Sequence, residues 1–203
     1  MFRTGVIPNG FLPKDLSPFV RLPCSLPDCV PIESDTTLTI YTDGSGHMIT
    51  GGLRAGFGIF DPNGIIPQVA APLLGREQSV QKAELMAAAH ALAISPNKLH
   101  IFIDNIYVVK GLQRIQYGVP KDYAHQSLWH AIYAMRHKIA QVSWIKAHII
   151  LEEATARGYI LEQVQGNDKA DELANKGRDM HIQSECARRL RVVQLVQGRM
   201  LSH

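Results

Sequence analysis

Asp43 stands between an alternating, β-branched run, Thr36–Tyr41 (TTLTIY), and the small residues Gly44-Ser45-Gly46. Taken alone, an Asp before a Gly is ordinary turn chemistry. Three more acids change that reading. Asp104 ends the apolar run Leu99–Ile103, so it also sits at a strand end. Glu84 is the only acid in the apolar stretch Val80–Ile94, where Ala83, Leu85 and Met86 surround it and a solvated charge is out of place. Asp171 lies one turn into a segment that Asn167 is placed to cap, whereas Asp168, in the first turn, suits the helix dipole better. If the strands carrying Asp43 and Asp104 are neighbours, their carboxylates stand side by side at one edge of a sheet. Carboxylates gathered in this way repel one another unless a cation sits among them. Oxygen-only ligands select hard ions such as Mg²⁺ or Mn²⁺. A pair of such ions about 3.5–4 Å apart suits in-line phosphoryl displacement. The chemistry implied is metal-dependent attack on a phosphodiester.

These side chains need elements to hold them. Thr36–Tyr41 and Gly56–Phe60 (GFGIF) read as strands, the second followed by the turn DPNG, and Ile65–Ala71 reads as a third. Val80–Ile94 (VQKAELMAAAHALAI) predicts a helix, stopped by Ser95-Pro96 and apolar over most of its circumference, hence buried. Leu99–Ile103 is a fourth strand, Asn105–Ile115 and His125–Lys138 are helices, and Gln141–Ile145 is a fifth strand. Asn167–Arg178 is a helix with Asn167 as its N-cap. Three hairpin-like strands followed by alternating helices and strands predict an α/β fold, a mixed sheet covered by helices. Trp144, inside a strand pattern, is expected in the core.

The chain has 203 residues, which predicts one domain with extensions. Its 46% hydrophobic and 19% charged residues exclude a disordered chain. The formal net charge of +3 permits a polyanionic partner without requiring one. Cys24, Cys29 and Cys186, odd in number and dispersed, predict reduced thiols and an intracellular setting, cytoplasm or nucleus. No apolar run approaches a membrane span and the start lacks a secretory core, so no membrane partner is expected. Pro8, Pro13, Pro18, Pro23, Pro27 and Pro31 make residues 1–35 an extended leader before a domain at 36–180. Residues 181–203 read as a basic helical extension, with Leu190, Val193 and Val196 at near-helical spacing. Its Arg188, Arg189 and Arg191 either form a solvated side or reach nucleic acid.

YTDGSG, QKAELMAA, IFIDN, WIKAH and GNDKADELAN, in that order, resemble the sequence blocks of ribonuclease H type 1, and equally those of the ribonuclease H domain of reverse transcriptases. The resemblance covers about Thr36–Gly177. It implies a ribonuclease H-like α/β fold, a five-stranded mixed sheet with helices on both faces. It also implies a D-E-D-D site for two Mg²⁺ ions, with Mn²⁺ as a substitute. Carried over block by block, the catalytic and metal-binding acids are Asp43, Glu84, Asp104 and Asp171; in GNDKAD the family's acid matches the last Asp, not Asp168. The implied activity is an endoribonuclease that cuts the RNA strand of an RNA–DNA hybrid, leaving 5′-phosphate and 3′-hydroxyl ends. Asp43 is then shared by both ions, Asp171 serves the ion that activates water, and Glu84 and Asp104 serve the ion at the leaving oxygen. Such enzymes tell RNA from DNA by the 2′-hydroxyl, and Gly44, Ser45, Gln81 and Asn105 match substrate-contacting positions. His148, directly after WIKA, matches the family's mobile histidine, which assists proton transfer or product release.

Two stretches depart from the family. The segment from His148 to Asp171 is long and contains a helix-like piece, Leu151–Arg157, a lid or simply tolerated length. Residues Gln116–Gln126 (QYGVPKDYAHQ) occupy the place where cellular enzymes of this type carry a basic, Trp-containing protrusion that grips DNA. Two other readings compete: a non-catalytic nucleic-acid-binding remnant of a retroelement polyprotein, and another nuclease on the same fold. The presence of all four acids argues against the first, and DGSG with QKAEL against the second. A monomer or a segment of a larger polyprotein is expected.

Overall fold

The structure, a computed structural model, describes residues 26–49, 52–75, 77–149 and 151–200, except for the side chains of 49, 151, 152 and 182–200. Most of the leader, Cys24, and the side chains of Cys186, Arg188, Arg189 and Arg191 therefore lie outside the described residues.

Five strands form one mixed sheet in the order β3-β2-β1-β4-β5. β1 (Ser34–Ile49), β2 (Gly52–Phe60) and β3 (Val69–Pro72) make an antiparallel meander. α1 (Val80–Ile94) then carries the chain to β4 (Asn97–Ile103), which lies parallel to β1, and β5 (Ile139–Trp144) lies parallel to β4. The pleat of β1 sends alternate residues to opposite faces. Gly44 and Gly46 face α1, while Tyr41 lies against Gly166 of α5 (Leu161–Met200). Helices thus cover both faces, as expected. The larger core joins α1 to Leu38, Ile40 and Ile101 of the sheet, and to Val108 and Leu112 of α2 (Ile106–Arg114) and Trp129 of α3 (Gln126–Ala134). Its driving force is burial of an Ala- and Leu-rich helix with nine buried residues. A smaller core, Tyr41, Phe102, Ile145 and Ala170, lies on the α5 side.

Several expected boundaries moved, each for a local reason. β1 does not end in a tight turn at Asp43. It continues through Gly44-Ser45-Gly46, which pair with Phe57, Gly56 and Ala55 of β2. The expected strand Ile65–Ala71 begins only at Val69, because the Asp61 carboxylate accepts the backbone N–H groups of Asn63, Ile65 and Ile66 and folds them into a turn. His125–Lys138 is α3 followed by a 3₁₀ turn, and the fifth strand starts at Ile139 rather than Gln141. Asn167 is not an N-cap. α5 begins at Leu161, so Asn167 is an interior helical residue, buried, with no partner for its Oδ1 among the described residues. The good helix formers Leu161, Glu162, Gln163 and Gln165 favour a helix that runs past the Asn-Asp signal. Trp144 is not a core residue but 38% exposed.

The end of the leader is packed on the body. Val30 and Glu33 donate their N–H groups to the carbonyls of Ala93 and Pro96. The fully buried Lys138 ammonium donates to the carbonyls of Val30, Leu92 and Ser95. The insertion after His148 contains α4 (Leu151–Ala156), with Ile149, Ala154 and Val164 forming a small core of their own. No helix among the described residues is long and apolar enough to cross a membrane.

Candidate metal centre

The centre forms where β1 outlasts β4. Their parallel pairing ends at Thr42 and Ile103, so the next residues are Asp43, still paired to Gly58 of β2, and Asp104, where the other chain leaves the sheet. α1 brings the third acid. Gly44 lets that helix approach closely, since a Cβ there would overlap the Glu84 backbone and lie 2.8 Å from its Cγ. One carboxylate oxygen from each of Asp43, Glu84 and Asp104 lies within 4.8 Å of the others. Asp171 stands just outside this triad, on α5, close enough to hydrogen-bond Asp43 and to act on Asp104 through its charge. The close approach of α5 depends on Gly58, where a Cβ would run into the backbone at Ala170 and Ala174. Asp168, three residues earlier on α5, is exposed and belongs to no such group.

A family model for RNase H matches residues 35–179. The chain belongs to the RNase H family. Among solved structures it is similar to a foamy viral protease-reverse transcriptase in complex with dsDNA, at 23% identity and TM-score 0.51, covering 70% of this chain and 93% of that one. It is also similar to the prototype foamy virus protease-reverse transcriptase, at 26% identity and TM-score 0.50, covering 69% of this chain but only 20% of that one. RNase H1 from the halophilic archaeon Halobacterium salinarum NRC-1 aligns at 19% identity and TM-score 0.48, over 71% of this chain and 98% of that one. No curated protein sequence matches the chain.

The electrostatics of this RNase H centre are those of buried acids crowded together. Burial, then the charges of Asp104 and Asp171, push the Asp43 carboxyl up to about 7, against the pull of the Gly44 N–H. Glu84 rises well above the ordinary glutamate range, first through burial and then through Asp43 and Asp104. Asp104 rises mainly through burial, eased by a hydrogen bond with Glu84 and by the charge of His148. One Glu84 oxygen, Oε2, is buried with no hydrogen-bond partner among the described residues. An all-carboxylate donor set, pushed toward protonation and with an orphaned buried oxygen, fits a hard divalent cation.

The remaining expected site residues are placed around this centre with different duties. His148 is exposed, acts on Asp104 through its charge, and has a left-handed backbone with φ 48°. Asn105 caps α2, its Oδ1 accepting from the N–H groups of Tyr107 and Val108. Gln81 is half-buried one turn before Glu84 on α1. The Ser45 hydroxyl donates to Asn175 Oδ1 at 2.6 Å. Two neighbours went unnoticed in the sequence. The Trp144 indole N–H donates to the Asp104 carbonyl at 2.8 Å. Asn175 Nδ2 donates to Asp171 Oδ1 at 3.0 Å, a pairing that the i, i+4 spacing would have shown once the helix was granted.

Proposed function

We propose that the chain is a hydrolase cutting the RNA strand of RNA–DNA hybrids, with two Mg²⁺ ions, or Mn²⁺ in their place, held by Asp43, Glu84, Asp104 and Asp171. The observation that carries this reading is the convergence of three carboxylates within 4.8 Å in a chain of the RNase H family. Divalent ions bound there would supply Lewis-acid activation of water and offset the charge on the scissile phosphate. Asp43 neighbours both the Glu84–Asp104 pair and Asp171, so it would be the ligand that both ions share. Glu84 and Asp104, whose carboxyls burial and neighbouring acids push upward, would be held in the charged form by cations bound there. His148, exposed beside Asp104, is free to take up or hand on a proton at its ring nitrogens. Recognition of RNA would rest on the ribose 2′-hydroxyl, the group that DNA lacks. Gln81, Ser45 and Asn105 are the candidate contacts to the strand. The products are a 5′-phosphate and a 3′-hydroxyl. The 26% identity to a foamy virus protease-reverse transcriptase, over 20% of that chain, supports an origin within a retroelement polyprotein.

The test is cleavage of an end-labelled RNA–DNA hybrid, a DNA duplex and an RNA duplex, each with Mg²⁺ and with chelator. Cutting confined to the RNA of the hybrid and abolished by chelator is expected. Cutting of the DNA duplex, or full activity in chelator, overturns the reading.

A further inference from the structure

We propose that Asn175 and Arg178 are positioning residues that set the orientation and hydrogen-bonding state of Asp171. The proposal rests on the reading of Asp171 as a metal ligand and adds the device that holds it. Asn175 follows Asp171 by one helical turn on α5 and donates from Nδ2 to Asp171 Oδ1 at 3.0 Å. On its other side, Asn175 Oδ1 accepts from the Arg178 guanidinium at 2.6 Å and from the Ser45 hydroxyl at 2.6 Å. A guanidinium only donates, so the amide atom facing it must be the oxygen. The amide is therefore not free to flip, and its NH₂ must face Asp171.

Arg178 is in turn held fast. Its guanidinium also donates to Ser45 Oγ at 2.9 Å and to Asp179 Oδ1 at 2.8 Å, with 21% of the side chain exposed. Its backbone rests on Gly56 of β2, where a Cβ would overlap it. The line from Arg178 through Asn175 to Asp171 thus begins on a fixed anchor and ends on one carboxylate oxygen. An NH₂ can only meet an acceptor, so Oδ1 is held as that acceptor and the carboxylate is fixed in orientation. Without the relay, the Asp171 carboxylate would be free to turn about its side-chain bonds. Ser45, whose hydroxyl closes the triangle with Arg178 and Asn175, ties β1 into the same device.

The experiment measures Mn²⁺ affinity by calorimetry, alongside kcat and KM on a labelled hybrid, in a double-mutant design. Asn175→Leu and Arg178→Met each remove hydrogen bonding while keeping bulk. Each is expected to weaken Mn²⁺ binding by about 10–100-fold, the range for outer-shell partners of a metal site, and to lower kcat with KM unchanged. Arg178→Lys, which keeps the charge but loses the fork, should fall between parent and Arg178→Met and supplies the answer if Asn175→Leu does not fold. In an Asp171→Asn background these losses should vanish, because the relay acts only through that carboxylate. Parental Mn²⁺ affinity in Arg178→Met, or a loss that persists undiminished in Asp171→Asn, overturns the relay alone. Parental affinity and cleavage in Asp171→Asn itself overturn the underlying assignment of Asp171, and the relay with it.

Discussion

Asp43 has a like-charged neighbour on either side, and the sheet leaves it 5% exposed. Such a residue is costly to the folded protein in its charged form, and a cation beside it would offset that cost. Asp43→Asn keeps the shape and removes the charge. It should lower hybrid cleavage by more than about 100-fold, beyond the range for outer-shell partners. In the metal-free protein it should raise Tm, because it relieves repulsion. Near-normal turnover in Mg²⁺ would refute the shared role given to Asp43. The two acids of GNDKAD separate at the same scale. Asp171→Asn should cripple cleavage, whereas Asp168→Asn should leave both cleavage and Tm at parental values. Asp168 is exposed and lies two turns into α5, beyond reach of the dipole at its first turn.

The elements hold the centre because backbones meet where side chains are missing. α1 rests on Gly44 and α5 rests on Gly58, each placing an acid over the end of β1. Gly58→Ala must push α5 away from β2, at about 1–3 kcal/mol for an overpacked core. Its cleavage should fall further than its stability, since Asp171 moves with the helix. Thermal melts and kinetics on the same preparation compare the two losses, and a variant that is destabilised but fully active would contradict this seating. The Lys138 cage makes a second case. Lys138→Met leaves the carbonyls of Val30, Leu92 and Ser95 without their shared donor. A cost of at least about 2 kcal/mol follows from buried acceptors left unpaired, to be read from chemical denaturation. Cleavage by the folded fraction should be unchanged, because the cage lies at the opposite end of α1 from Glu84.

At the scale of the whole molecule, the crowded acids make stability depend on pH and on cations. The Asp43 carboxyl moves from its ordinary 3.8 to about 7 on folding, so the folded state holds a proton that the unfolded chain has released. That contribution is full below about pH 4 and is lost as pH rises through 7. Burial lowers the pKa of His90, His100 and His181, which work in the opposite sense as pH falls through their ordinary value. Comparing parent with Asp43→Asn cancels the histidines. The stability advantage of the variant should grow between pH 4 and pH 7 without cation and shrink when Mg²⁺ is added. A pH-independent difference, unmoved by Mg²⁺, would contradict the crowding. Binding of hybrid should be weak and salt-sensitive: between Lys110 and His125 the basic side chains are only Lys110, Arg114 and Lys121, with no Trp among them. Titrating one hybrid at several salt concentrations checks it, and tight binding indifferent to salt would contradict it.

Much of this was readable in the chain before any coordinates. The alternation in Thr36–Tyr41 and the apolar run Leu99–Ile103 placed two strands, and the acids after them were adjacent once those strands were paired. The isolation of Glu84 within Val80–Ile94 marked it as a residue with a partner, because an unpaired charge does not sit in an apolar helix without cause. Ends of elements were less legible. The local cap signal at Asn167 was overridden by Leu161, Glu162, Gln163 and Gln165, four good helix formers before it, and the Asp61 carboxylate shortened β3 through hydrogen bonds no hydrophobic period records. Trp144 had the pattern of a core residue, yet β5 lies at the edge of the sheet, where one side is open and its N–H finds the Asp104 carbonyl. The hold of Arg178 and Asn175 on Asp171 required β1 and α5 to meet. Ser45 and Arg178 are 133 residues apart, and only packing of Gly56 against α5 brings them within hydrogen-bonding distance. Residue types and their periods are local properties and persist in the unfolded chain. Closest approaches are set by which surfaces the folded core presses together.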